Sequence, residues 1–265
     1  RENKVRNVVE AYGFCEGMTY SFESPKVYDK LNLAQNDVLR KSIVISNPLG
    51  EDYSVMRTSA LGGMLTSLAT NYNRRNKDVR LYELANVYLP KQLPLTELPD
   101  ERVQLTMGMY GEGDFYAMKG VIEEILTRLS LKGTVTYDPA AQKSFLHPGR
   151  QAKVIYEGKE IAYFGEVHPT VLKNFAIGQR AYVAVVDLAE LIAMPKEAVK
   201  YTGVAKFPAM TRDISLMMKK ELLAGQVEEV IRKKGGALVE SYELFDVYEG
   251  AQIQEGYKSL AYKIV

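Results

Sequence analysis

Five aromatic residues, Tyr242, Phe245, Tyr248, Tyr257 and Tyr262, crowd toward the carboxyl end of the chain. Aromatic rings on a sheet surface can stack on unpaired nucleic-acid bases, a contact worth about 1 to 3 kcal/mol per base. The plain alternative is that about half of them pack beneath a helix, because strand residues alternate between faces. Leu244 and Phe245 are adjacent and both apolar, so parity along this strand is open unless a bulge is allowed. Charge does not decide the matter. From Phe207 onward eight cations meet nine acids, a net of −1, and the whole chain stands at +1. A broad basic footprint for nucleic acid is therefore absent, and any such contact rests on local groups.

Other chemistry has few candidates. His147 and His168 are the only histidines, and each precedes a proline. That context favours extended backbone, so both read as turn or helix-start positions, with no nucleophile or paired carboxylate beside them. Cys15 is the single cysteine, which excludes an internal disulfide, leaves no zinc-type cluster and makes a reducing cytoplasm the simplest compartment. No Gly-x-x-x-x-Gly-Lys phosphate loop is present. No apolar run approaches the roughly 20 residues that span a bilayer. The first residue is Arg1, and residues 1–10 lack the apolar core of a signal peptide, so the chain is expected to be a segment of something longer.

The elements that must position these groups follow from periodicity. With 265 residues, 46% apolar and 25% charged, two domains with real cores are expected. Val5, Val8, Val9 and Tyr12 mark a short helix ended by Gly13. Residues 17–22 read as extended, 41–45 as a strand, and Asn47-Pro48-Leu49-Gly50 as a turn. The clearest helix follows Met56-Arg57-Thr58-Ser59, with Ser59 as its cap and Leu61, Met64, Leu65, Leu68, Ala69 and Tyr72 along one face. Strands at 79–88 and 102–110 flank a loop broken by Pro90, Pro94 and Pro99. A second long helix is expected over 114–131, then short strands at 134–137, 152–156, 161–164 and 181–186 in a largely antiparallel sheet, with a short helix over 169–175. Residues 195–206 mix Pro, Gly and charge without an apolar period, which suits a linker between domains at 1–194 and 207–265. The second domain reads as strand 212–218, helix 224–234 closed by Gly235-Gly236, strand 238–248 and strand 254–265.

Several blocks in order along the chain carry a resemblance. Asn47-Pro48-Leu49 and Met56-Arg57-Thr58-Ser59-Ala60-Leu61 come first. Arg80-Leu81-Tyr82-Glu83-Leu84, His147-Pro148-Gly149-Arg150 and Gly165-Glu166-Val167-His168-Pro169 follow. The last are Phe207-Pro208-Ala209-Met210-Thr211-Arg212-Asp213, then Glu243-Leu244-Phe245-Asp246-Val247-Tyr248 and Lys258-Ser259-Leu260-Ala261-Tyr262. Together they resemble the carboxyl-terminal portion of the β subunit of bacterial phenylalanyl-tRNA synthetases. The resemblance implies an α+β fold: a class II aminoacyl-tRNA synthetase-like antiparallel core, then a ferredoxin-like anticodon-binding domain that ends before its last helix and strand.

What the resemblance implies for chemistry is assembly and recognition. In the family an α subunit activates phenylalanine with ATP and magnesium and charges the tRNA for phenylalanine, within an (αβ)2 heterotetramer that is not a membrane protein. The family's editing domain and acidic magnesium-binding segment would lie upstream of Arg1. Where class II strands end in Phe-Arg-x-Glu this chain has Tyr88-Leu89-Pro90-Lys91, and Tyr182-Val183-Ala184-Val185-Val186-Asp187 lacks the late arginine. An apolar Leu cannot stabilise charge developing on a phosphate, so no catalytic, cofactor or metal residue is expected in this chain. The expected RNA contacts are Arg212, Asp213, Tyr242, Phe245, Asp246, Tyr248 and Tyr262. The expected subunit interface is Arg57, Leu61, Met64, Leu65, Leu68 and Tyr72. A regulatory or RNA-binding protein built on a catalytically dead synthetase-like core is the alternative.

Overall fold

The computed structural model describes residues 1–201 and 203–265. They form two compact units, Arg1–Val199 and Lys200–Val265. The stretch expected as a linker includes Thr202, which lies outside the described residues.

The first unit contains α1 (Glu2–Ala11), β1 (Cys15–Glu16), β2 (Phe22–Glu23), α2 (Val27–Lys30), β3 (Val55–Met56), α3 (Leu61–Asn73), β4 (Val79–Leu89), β5 (Asp100–Tyr110) and α4 (Phe115–Leu129). It continues with β6 (Val135–Asp138), β7 (Leu146–Tyr156), β8 (Lys159–Val167), α5 (Pro169–Asn174), β9 (Ala181–Asp187) and α6 (Leu188–Ala193). Seven strands form one sheet in the order β1-β4-β5-β9-β8-β7-β6. Only the short β1 runs parallel to its neighbour, with Cys15 beside Leu81 and Glu16 beside Tyr82. The other pairs are antiparallel.

Both faces of this sheet are buried, so its strands read as apolar runs rather than a clean alternation. One face carries α1, α4 and α6, whose Val5, Val9, Val121, Ile125 and Leu191 meet Tyr82, Met107 and Val186. The opposite face carries α2, α3 and α5, whose Tyr28, Leu61, Leu65, Leu68 and Val171 meet Val79, Val183 and Val185. Each fully buried Leu or Val contributes about 1.5 to 3 kcal/mol.

Local sequence sets the boundaries. Asp114 caps α4, its carboxylate accepting from the Ala117 N–H at 2.9 Å, and Ser130 ends the helix at φ 51°. Asp187 caps α6 in the same way through the Glu190 N–H at 3.0 Å. His168 opens α5, its Nδ1 accepting from the Thr170 N–H at 3.1 Å. Three sequence expectations change. Residues 41–45 form no strand and are held only by a bridge from Val44 to Val55. α3 starts one residue later than a Ser59 cap implies, with Ala60 at the cap position and the Ser59 hydroxyl accepting from the Leu61 N–H at 3.3 Å. β7 starts at Leu146 rather than 152 and contains His147-Pro148-Gly149-Arg150 as an outward bulge, since Leu146 pairs with Val167 and the next paired residue is Gln151, opposite Gly165.

The second unit is β10 (Arg212–Lys219), α7 (Ala224–Gly235), β11 (Tyr242–Tyr248) and β12 (Tyr257–Ile264). Its antiparallel sheet runs β10-β12-β11. α7 packs on one face, Ala224, Val227 and Ile231 covering Met218, Leu260 and Tyr262. β11 begins at Tyr242, four residues later than the sequence suggests, because Gly236–Leu238 form a turn of tight helix first.

At Gly165 the backbones of β7 and β8 leave no room for a side chain. A Cβ there would lie 2.5 Å from the Arg150 carbonyl oxygen and 2.8 Å from the Gln151 Cα, both backbone atoms with no rotamer to relax into. Gly165→Ala is expected to destabilise the chain by about 1 to 3 kcal/mol, read as a melting temperature several degrees lower; an unchanged melt refutes the close approach.

Candidate nucleic-acid interface

The open face of the second unit's sheet follows from its register. Ile214, Leu216 and Met218 on β10 stand level with Tyr262, Leu260 and Lys258 on β12, and that row faces α7. The alternate row, Asp213, Ser215 and Met217 on β10 with Ser259, Ala261 and Lys263 on β12, faces away from the helix. On β11 the register shifts between Leu244 and Asp246, leaving Phe245 as an extra residue. The bulge changes the phase of the strand, so Asp246 joins Ala261 and Tyr248 joins Ser259 on the open face.

The small residues Ser259 and Ala261 lie along the centre of this face, between exposed Met217 on one side and Tyr248 on the other. The Ser215 and Ser259 hydroxyls hydrogen-bond at 2.9 Å. A shallow trough with a tyrosine wall can seat a flat base, and the carboxylates of Asp213, Asp246 and Glu243 at its end are acceptors suited to base edges that donate. Gly250 leaves room for the ring: a Cβ there would lie 2.2 Å from the Tyr248 hydroxyl.

The seven expected RNA contacts are divided by this geometry. Asp213, Asp246 and Tyr248 share the open face, and exposed Phe245 sits at the bulge beside them. Arg212 and Tyr242 pair with Ile264 on the other row, at the end of the sheet. Tyr262 is a correction. It is 0% exposed beneath α7, its hydroxyl 3.4 Å from both the Ala224 carbonyl oxygen and Glu228 Oε1. Burial, with Glu228 beside it, pushes its phenol up to about 12, so it serves the core and cannot stack on a base.

The expected subunit interface is also corrected. Leu61, Met64, Leu65 and Leu68 are each 0–2% exposed in the core under the sheet. Tyr72 is half-buried, edge-on to Tyr110 at 6.0 Å. Arg57 is internal. Its Nη1 donates to Glu83 Oε1 at 2.9 Å with both side chains 5% exposed, and its Nε donates to the Asn86 carbonyl at 2.8 Å. Thr19 closes the network, its hydroxyl donating to Glu83 Oε2 at 2.8 Å and accepting from Arg57 at 2.9 Å. Losing one partner of such a pair costs about 3 to 5 kcal/mol, because the other charge stays buried.

Several exposed apolar residues that sequence periodicity missed precede α3. Met18, Tyr20, Val44, Leu49 and Tyr53 are exposed there, with Tyr20 and Tyr53 edge-on at 5.7 Å. They come from separate loops joined by the β2–β3 pairing and the Val44–Val55 bridge, so no helical or strand period links them.

Both faces of the large sheet are occupied by helices, and among the described residues no group of three His, Cys, Asp or Glu side chains is placed to hold a metal ion. No helix among them is long and apolar enough to cross a membrane.

Residues 1–188 match the family described as the phenylalanyl tRNA synthetase beta chain CLM domain. The chain belongs to that family. Residues 205–265 match the ferredoxin-fold anticodon binding domain. A phenylalanine-tRNA ligase beta subunit of Clostridium tetani is 42% identical over 265 residues, covering 100% of this chain and 33% of the relative. One from Clostridium acetobutylicum is 39% identical over 260 residues, covering 98% and 33%. The chain thus spans about a third of the length of these relatives. The first unit's fold is that of class II synthetases: a pyrrolysyl-tRNA synthetase of Desulfitobacterium hafniense superposes with a TM-score of 0.57 over 72% of this chain and 66% of its own, at 13% identity. The regulatory alternative is not favoured, because an anticodon-binding family match follows the core match on the same chain.

Glu23 supplies a pH test of the Arg57 region. Burial pushes its carboxyl from 4.5 up to about 7, against the opposing pull of Arg57 and the Tyr28 hydroxyl. The folded state therefore holds this proton more tightly than the unfolded one. The stability it contributes is full below about pH 4.5 and is lost as pH rises toward 7. Glu23→Gln is expected to flatten the fall in denaturant midpoint between pH 5 and 7.5; an unchanged slope refutes the burial.

Proposed function

We propose that this chain is the assembly and anticodon-reading part of a phenylalanine-tRNA ligase, and that it does no catalysis itself. The observation that carries the reading is the tandem match of a beta-chain core and an anticodon-binding module along one chain, joined to a sheet face whose Tyr248 and acceptor carboxylates suit an unpaired base. The core, residues 1–194, scaffolds a catalytic α subunit in an (αβ)2 heterotetramer of the cytoplasm, and residues 207–265 contact the tRNA for phenylalanine. The α subunit is the site of ATP and magnesium chemistry.

The exposed apolar group Met18, Tyr20, Val44, Leu49 and Tyr53 takes the role of assembly surface that the sequence placed on α3. In the unbound chain the α3 stripe is already spent on the core. On the RNA side, Tyr248 stacks on an anticodon base, Phe245 flanks it from the bulge, and Asp213 and Asp246 accept from base edges. Arg212 and Tyr242 contact the strand at the end of the sheet.

Copurification with an α subunit and binding of a transcript carrying the phenylalanine anticodon test the reading together. Both are expected for the unaltered chain, and Met18→Asp with Leu49→Asp should abolish the first while leaving the second. Tyr248→Ala is expected to weaken tRNA binding by about 1 to 3 kcal/mol, with the melting temperature unchanged. Phenylalanine-dependent ATP/pyrophosphate exchange by the chain alone, or binding to neither partner at low salt, overturns the proposal.

A further inference from the structure

The bulge in β7 builds a feature that the anticodon-reading function does not use. Four residues, His147-Pro148-Gly149-Arg150, stand opposite the single residue Glu166 of β8, and they open one side of a groove whose other walls are Tyr72, Lys173 and Arg180. Bulges of this kind re-aim side chains and recur beside functional sites.

The groove carries an excess of positive charge on an otherwise neutral chain. Glu166 is its one lining carboxylate and is 4% exposed. Arg150 spends a single nitrogen on it, Nη1 lying 3.1 Å from both carboxylate oxygens. Arg180 Nε stays 3.8 Å away, beyond hydrogen-bond reach. Lys173 makes no ion pair among the described residues. Three cations therefore surround one acid, and most of their donors point to no protein acceptor. His147 adds a donor: its Nδ1 accepts from the Gly149 N–H at 3.1 Å, which leaves the Nε2 side of the ring to donate.

We infer that this groove binds the phosphodiester backbone of RNA, as a contact on the core unit additional to the anticodon face. Arginine forks match phosphate oxygens in pairs. The groove is open along its length, which suits a strand laid across it rather than an enclosed small molecule. Buried Glu166 acts as a positioning residue, holding Arg150 in place while leaving the net charge positive. Only the choice of RNA as ligand rests on the function proposed above; the charge and shape of the groove do not.

The test uses the whole chain with a fluorescent tRNA transcript carrying the phenylalanine anticodon, titrated across a range of salt. Lys173→Gln with Arg180→Gln alters only exposed side chains, so the fold should persist, as a thermal melt checks. The double variant is expected to bind roughly tenfold more weakly at low salt and to lower the slope of log affinity against log salt by about 1.4, near 0.7 for each cation removed. Tyr248→Ala should instead weaken binding without changing that slope. Unchanged affinity and slope in the double variant, with loss in Tyr248→Ala, overturn the groove and leave the anticodon face standing. The reverse pattern supports the groove and overturns the anticodon face. Inorganic tripolyphosphate that binds the unaltered chain and not the double variant, while tRNA affinity is the same for both, overturns the RNA assignment.

Discussion

The buried pair of Arg57 and Glu83 is the constraint on which the core unit depends. Glu83 sits within β4, and Arg57 lies just before α3. Their contact, with Thr19 and the Asn86 carbonyl, clamps two incoming segments onto the sheet. Backbone bonds run alongside, from the Arg57 N–H to the Ser21 carbonyl and from the Tyr88 N–H to the Arg57 carbonyl, each 3.0 Å. The direction in which α3 leaves, and hence the face of the sheet it covers, is set there. So is the outward display of Tyr20 and its neighbours, because the residues clamped at 19–21 and 57 bracket the exposed apolar loops. A charge network in low dielectric has strict geometry, which makes it a better register mark than interchangeable apolar contacts.

Much of this was legible in the residues. α3, α4, β4 and β5 emerge within a residue or two of their observed ends because long periodic segments and their caps report directly on backbone structure. What escaped were the short helices without a proline start signal and anything set by tertiary contact. α2 has four residues and α6 six, too short for a period to show, although Asp187 followed by Leu-x-x-Leu was a readable cap signal for the second. The 41–45 stretch has strand composition but meets only a single bridge. The α3 stripe identified a buried face correctly; what covers that face, the chain's own sheet or a partner, is not encoded in spacing. Arg57 likewise reads as an interface residue because the partner that buries it lies 26 positions away.

The two units use their sheets in opposite ways. The core sheet is closed on both faces by helices, so its residues are chosen for packing. The smaller sheet is covered on one face only, and the uncovered face tolerates polar, small and aromatic side chains side by side. A sheet face left uncovered is free to meet a ligand, whereas a face packed as a core is not.

Phe245 is the one residue in β11 that the sheet does not count. Leu244 and Asp246 take consecutive places against Tyr262 and Ala261, so the alternation on either side would survive its deletion. It is also 53% exposed. Neither pairing nor packing dictates its identity, whereas its neighbours are each answerable to a partner strand. A phenyl ring held out at a position that the fold leaves free is answerable only to something outside the fold.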